Sequence, residues 1–241
     1  MRIQRVLILL VVSLALVACS DGQPQIVLNG SGRVVSRDME FANFDAVEAS
    51  AFFHVTVLPG DQFAVAVTAD DNFFEHISVT QKGARLAFGL RPGRSYTFQG
   101  GTLRATVTMP RLAAIDANAN ASVTLPVFKV DDLVATTSGT ASLVGSIDAG
   151  NVRVKASDSS CVKLSGNAED LEASGAGNSS LDLARLAVSS ARVELKGLAQ
   201  AAVQANHRLY YAVVAGAQLT YLGRPRLGES TCSGNAQINS K

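Results

Sequence analysis

The chain has 241 residues, 47% of them hydrophobic and 17% charged, too apolar for a disordered segment and long enough to bury a core. Three cysteines are too few for a disulfide scaffold. The sequence holds no GxxxxGK(S/T), HExxH, GxSxG or paired CxxC run, so it gives no common catalytic signature and implies no cofactor. Twenty-one Lys and Arg against 20 Asp and Glu give +1, and loss of a leader carrying Arg2 and Arg5 leaves −1. That balance argues against nucleic acid as a partner, which needs a clustered positive surface.

The first element is a leader. Arg2 and Arg5 precede an apolar run from Val6 to Leu16, which is shorter than the ~20 residues of a spanning helix. It ends in Leu16-Val17-Ala18-Cys19, which resembles the lipobox of bacterial lipoproteins. The resemblance implies a signal peptide over 1–18, cleavage between Ala18 and Cys19, and acylation of Cys19, which makes the membrane a partner. Three acyl chains hold stably where one binds marginally. Ser20 follows the cysteine where lipoproteins retained in the inner membrane often carry Asp. The expected address is therefore the outer membrane, facing the periplasm or the surface. Residues 19–31 are small and polar, as a lipidated tether requires.

The main domain is expected over 32–226, followed by a polar tail over 227–241. All ten phenylalanines lie between Phe41 and Phe128, and Val, Leu and Ala supply most apolar residues thereafter. From Phe44 the chain alternates with period two through Phe53, Val55 and Val57, Phe63, Val65 and Val67, Ile77 and Val79, Leu86 and Phe88, and Leu103, Ala105 and Val107. Strands with one buried face follow from that period. Pro59-Gly60-Asp61, Asp70-Asp71-Asn72, Lys82-Gly83 and Arg91-Pro92-Gly93 punctuate them as turns.

The second part repeats. Apolar pairs two apart start at Leu133, Val152, Leu171, Val193 and Leu209, a mean spacing of 19, and ten residues after each start stand Leu143, Val162, Leu181, Val203 and Leu219. Each repeat reads strand, small polar turn, strand, longer connection. That length is too short for a helix pair or a propeller blade and suits one coil of a parallel β-helix, whose coils bury one another's apolar faces. Leu171, Leu181, Leu183, Val162 and Leu164 should share one continuous core.

These residues also carry a family resemblance. Gly30-Ser31-Gly32, Phe44-Asp45-Ala46-Val47-Glu48-Ala49-Ser50, Val55-Thr56-Val57-Leu58-Pro59-Gly60, Ala69-Asp70-Asp71-Asn72, Val107-Thr108-Met109-Pro110-Arg111-Leu112, and Ser-Gly or Asn-Ala turns ending in Tyr221-Leu222-Gly223-Arg224-Pro225 resemble, in order and spacing, the putative auto-transporter adhesin head GIN domain family over residues 29 to 226. The resemblance implies an all-β, single-domain, right-handed parallel β-helix on a secreted or lipid-anchored bacterial protein, with no catalytic residues to carry over. The hand agrees with the general rule for parallel crossovers.

Two functions compete. A lipid-anchored, non-catalytic adhesion or binding scaffold would meet an envelope glycan or protein partner through polar ladders. A polysaccharide-processing β-helix enzyme would instead cluster carboxylates within ~6 to 10 Å on one flank. Candidate acids are Asp158 in a turn and Glu169, Asp170 and Glu172 beside a strand; a lone turn aspartate is usually a turn-former. His54, His76 and His207 are far apart in sequence and read as surface residues, not metal ligands. Asp70-Asp71-Asn72 lacks the further ligands of a calcium loop. The sequons at Asn120 and Asn178 read as turn residues. Tyr211 and Tyr221 should face inward to cap the open end of the core, and Tyr210 outward; with Tyr96 and Phe98 they are too few for a strong sugar platform. Cys161 and Cys232 are either bridged or present as a buried Cys161 and a free tail thiol, and their spacing leaves both open.

Overall fold

The computed structural model describes residues 25–241; Ala18 and Cys19, with the rest of the leader, lie outside the described residues. The first half comprises β1 (Gln25–Asn29), β2 (Val34–Met39), β3 (Ala46–Ala49), β4 (His54–Pro59), β5 (Ala64–Asp70), β6 (Ile77–Lys82), β7 (Arg85–Leu90), β8 (Ser95–Gly100), β9 (Leu103–Met109) and β10 (Ala114–Ala117). The second half comprises β11 (Ser122–Thr137), β12 (Ser142–Ala156), β13 (Cys161–Gly175), β14 (Ser180–Leu195), β15 (Gln200–Ala215), β16 (Gln218–Leu222), β17 (Arg226–Gly234) and β18 (Gln237–Ser240). From β10 onward every pairing between successive coils is parallel, and the architecture is a parallel β-solenoid of about 7 turns with coils of ~19 residues. Antiparallel pairs β2–β5, β5–β9 and β6–β7 close its N-terminal end.

Alternation sets the columns of the core. Leu133 stacks on Val152, Leu171, Ala191 and Leu209, and Val123 stacks on Leu143, Val162, Leu181, Ala201 and Leu219. Val162, Leu164, Leu171, Leu181 and Leu183 belong to one buried cluster, as expected. The frame differs from the sequence reading in one place. Coil positions in β14 and β15 are held by Ala191 and Ala201, not Val193 and Val203, so the repeat runs 19, 19, 20 and 18 residues from 133 to 152, 171, 191 and 209. An inward alanine carries less apolar signal than the valine two residues on, which drew the frame forward.

The longer connection in each repeat is also a strand. Phe128, Ile147, Gly166 and Leu186 stack in register, and Val130 stacks on Ala149, Ala168 and Val188, so each coil has a third wall joined to its neighbours by backbone hydrogen bonds. The chain turns sharply once per coil. At that corner Ala51, Ala119, Gly139, Asp158, Gly177, Gly197, Ala215 and Gly234 all have φ between 54° and 76°. The ladder continues through this left-handed stack, for example from Thr140 N–H to Ala119 O at 2.7 Å and from Asn178 N–H to Asp158 O at 2.6 Å. Glycine at Gly177 meets two demands, because a Cβ there would also lie 2.9 Å from Asp158 O.

Both expected end segments contain strands. Within the tether, β1 pairs with β8. Within the tail, β17 and β18 pair with β15 and β16, although nearly every side chain there is exposed. Tyr211 and Tyr221 pack against the core as expected, but this last coil lies beyond them, with Ser230 and Ser240 in register.

Candidate functional site

Between the corner turn and the third wall, one wall of the solenoid presents its outward residues as three columns. Asp132, Asn151, Asp170, Ser190, Arg208 and Arg226 form the first. Val134, Arg153, Glu172, Arg192 and Tyr210 form the second, and Thr136, Lys155, Ser174, Glu194 and Ala212 the third. Strand alternation places all of them outward while Leu133, Ala135 and their equivalents face the core. Neighbours along a column are ~4.8 Å apart, the interstrand spacing.

A shallow groove of about 560 Å³ runs over the first two columns from Asp132 to Tyr210. Its side chains are tied to one another along the solenoid axis. Asn151 Nδ2 donates to Asp132 Oδ1 at 2.7 Å, Arg153 Nε donates to Glu172 Oε2 at 2.7 Å, and the Arg192 guanidinium lies 5.2 Å from the Tyr210 ring centroid. At the C-terminal end Arg208 and Arg226 stand side by side in register. Among the described residues, no carboxylate lies within 4.0 Å of either or of Arg192. Like charges in adjacent register repel, so this end of the flank offers unneutralised positive charge, and the opposite end offers Asp132, with Asp170 nearer the middle.

Of the sequence candidates, Asp170 and Glu172 line this groove, and Glu169 is exposed at its edge. Two residues apart on one face, Asp170 and Glu172 have backbones ~6.7 Å apart, so carboxylates do gather on one flank, the arrangement named for an enzyme. Asp158 does not join them. It occupies the left-handed corner, where aspartate is tolerated, and its carboxylate accepts from Gly139 N–H at 2.9 Å and Ser157 Oγ at 3.2 Å.

The histidines remain separate. His54 is exposed, but His76 departs from the surface reading, since its side chain is only 13% exposed and Nε2 is 3.5 Å from Glu75. His207 Nδ1 and Ser189 Oγ are 2.8 Å apart and exposed, at the ladder irregularity between the third wall and the flank. No carboxylate among the described residues hydrogen-bonds that histidine, so the pair lacks the orienting third group of a nucleophilic site.

Asp70-Asp71-Asn72 fastens the N-terminal segment. Asp70 is buried and accepts from Gly32 N–H at 2.7 Å and Thr102 N–H at 2.6 Å. Ser31 Oγ donates to Asp71 at 2.6 Å, and that bond leads the causes holding the Asp71 carboxyl below its ordinary range. Asn72 Nδ2 donates to Asn29 O at 2.9 Å. Asn120 Nδ2 donates to Thr140 Oγ1 at 2.9 Å across two corner turns, and Asn178 lies in the corner turn as expected. Cys161 is exposed, not buried, and both it and Cys232 are free thiols. Tyr96 and Phe98 are half-buried at the N-terminal end, and Tyr210 faces outward as expected.

The sequence reading missed Asp132, Asn151, Arg153, Arg192, Arg208 and Arg226. The signal was present: Asp132, Asn151 and Asp170 recur at the 19-residue period, as do Arg153 and Glu172. Apolar periodicity marks only the inward positions, and these outward residues carry no apolar signal.

Solved structures share the architecture. A putative adhesin from Bacteroides fragilis superposes with a TM-score of 0.82 at 17% identity, covering 90% of this chain and 100% of its own. A putative lipid binding protein from Parabacteroides distasonis gives 0.74 at 14% identity, covering 90% and 99%. A putative adhesin from Parabacteroides merdae gives 0.71 at 16% identity, covering 90% and 99%. At such identities the likeness establishes the fold. No curated protein matches the chain. The sequence model described as "Putative auto-transporter adhesin, head GIN domain" matches residues 43–225, and this solenoid with its charged flank belongs to that family.

Proposed function

We propose that the protein is a non-catalytic adhesion or binding scaffold of the bacterial cell envelope, cleaved after Ala18, held in the outer membrane by acylated Cys19, and using the charged flank as its contact face. The observation that carries this reading is the register of that flank: six strands present charged, amide and hydroxyl groups at fixed axial spacing on a rigid core. Contacts made this way are individually weak, and many copies on one membrane add them. The family's description and the names of two of the structural neighbours, each called a putative adhesin, support the same reading.

The polysaccharide-processing alternative draws on Asp132, Asp170 and Glu172 in the groove. Against it, Glu172 is held by Arg153 and Asp132 by Asn151. Glu172 is also half exposed, in a groove open to water, whereas acid–base pairs in such enzymes are set apart by their environments. Two measurements on the purified full chain test the proposal. Mass spectrometry should find a mature amino terminus at Cys19 carrying lipid, and incubation with polyuronates and neutral glucans should yield no shortened products. An unmodified terminus elsewhere would remove the anchor, and turnover lost in Asp170→Asn would establish the enzyme instead.

A further inference from the structure

The flank is complementary to itself. Consider a second copy placed face to face by a two-fold axis that lies along the strands and passes between β13 and β14. It sets β11 against the second copy's β17, β12 against its β15, and β13 against its β14. Asp132 then faces Arg226, Glu172 faces Arg192, and Arg153 faces Tyr210. The other charged rows place Asn151 against Arg208, Asp170 against Ser190, Lys155 against Ala212 and Ser174 against Glu194, so no row opposes like charges. Glu229, at the irregularity of β17, meets the uncharged Val134 to Thr136 stretch.

The other two-fold arrangement, with its axis along the solenoid, fails this test. It would set the middle column on itself, with Arg153 on Arg153, Glu172 on Glu172 and Arg192 on Arg192, three like-charge pairs in the middle of the face. Complementary potentials of this kind fix orientation and suppress wrong pairings. The strand-directed axis also conserves chemistry. The ion pair of Arg153 with Glu172 and the cation–π contact of Arg192 with Tyr210 can be exchanged between copies for an ion pair of Glu172 with Arg192 and a cation–π contact of Arg153 with Tyr210. The unpaired Arg226 gains Asp132.

We infer that the partner of this flank is a second copy of the chain, docked antiparallel through the charge pattern of the first two columns. The inference rests on the proposed binding role and names its partner. Antiparallel docking puts the two N-terminal ends at opposite ends of the pair, so lipid anchors on both chains would lie in apposed membranes and not side by side in one. Six strands at ~4.8 Å and five residues at ~3.3 Å give a face of roughly 480 Å² per copy. That is about six-tenths of the ~800 Å² per partner of a standard stable interface. A single contact is therefore weak, and adhesion relies on numbers.

Charge reversal tests this with the full chain in detergent, followed by sedimentation velocity at low and high salt. One variant carries Asp132→Arg and Asp170→Arg; the other carries Arg208→Asp and Arg226→Asp. Wild type should self-associate at low salt and dissociate at high salt. Each variant alone should associate at least about tenfold more weakly. An equimolar mixture of the two variants should recover association, a gain that misfolded chains could not produce. Equal self-association of wild type and both variants would overturn the inference, as would a mixture that stays monomeric. A wild-type chain that remains monomeric at millimolar concentration while binding polygalacturonate or anionic vesicles through Arg208 and Arg226 would also overturn it, leaving the binding role intact with a glycan or lipid partner.

Discussion

At the scale of single residues, the fold depends on a few positions whose backbone and charge have little freedom. Gly177 sits at φ 70° with Asp158 O directly above it. Gly177→Val should therefore destabilise by ~1–3 kcal/mol through strain at a left-handed position plus backbone displacement. Asp158→Asn, which suits the same conformation, should change the denaturation midpoint little. Urea melts of the two variants distinguish a conformational requirement from a charge requirement. Asp71 belongs to the same scale. Its carboxyl is held below the ordinary value of 3.8, first by the Ser31 hydroxyl and also by Arg33. A carboxyl depressed in the folded state adds stability that is present above its unfolded value and lost as pH falls through the folded one. Between pH 7 and pH 3, Asp71→Asn should lose less stability than wild type, measured by thermal melts. An identical acid dependence would mean that the Ser31 contact is absent in solution.

At the scale of elements, the period-two pattern carried the architecture because each coil buries one face of each strand against its neighbours. Leu181 is 1% exposed between Val162 and Ala201, so Leu181→Ala should cost ~2–5 kcal/mol in denaturant melts. A loss below about 0.5 kcal/mol would place the side chain at the surface. The same logic explains what was not legible. Apolar periodicity reports inward positions, and it weakens where the inward residue is alanine, as at Ala191 and Ala201. It is silent on whether the stretch between two apolar pairs is a loop or a third strand, because Ile147, Ala149, Gly166 and Ala168 range from isoleucine down to glycine and give no steady apolar signal. The left-handed corner was visible only as turn-forming residues. That Ala119 and Ala215 adopt it beside glycines is dictated by the stacked hydrogen bonds, not by residue preference. The tail read as polar, and it is; backbone pairing with β15 and β16 requires no apolar side chains.

At the scale of the whole molecule, the solenoid converts a 19-residue sequence period into an axial array of side chains. The candidate acids Asp170 and Glu172 were legible as residues. Their placement in a mixed-charge groove with Arg153 and Arg192 was not, because it depends on stacking between coils and not on proximity in sequence. That array gives the molecule one wall with opposite charge at its two ends and a core that holds the wall rigid. On the proposed reading, this wall carries the binding. Attachment and aggregation of cells bearing the full chain should be compared for wild type, for the flank variant Asp170→Asn with Arg208→Gln and Arg226→Gln, and for the corner variant Asp158→Asn, at matched surface or envelope amounts. The expected outcome is a loss of at least about tenfold in the flank variant and wild-type behaviour in the corner variant. Undiminished attachment in the flank variant would contradict it.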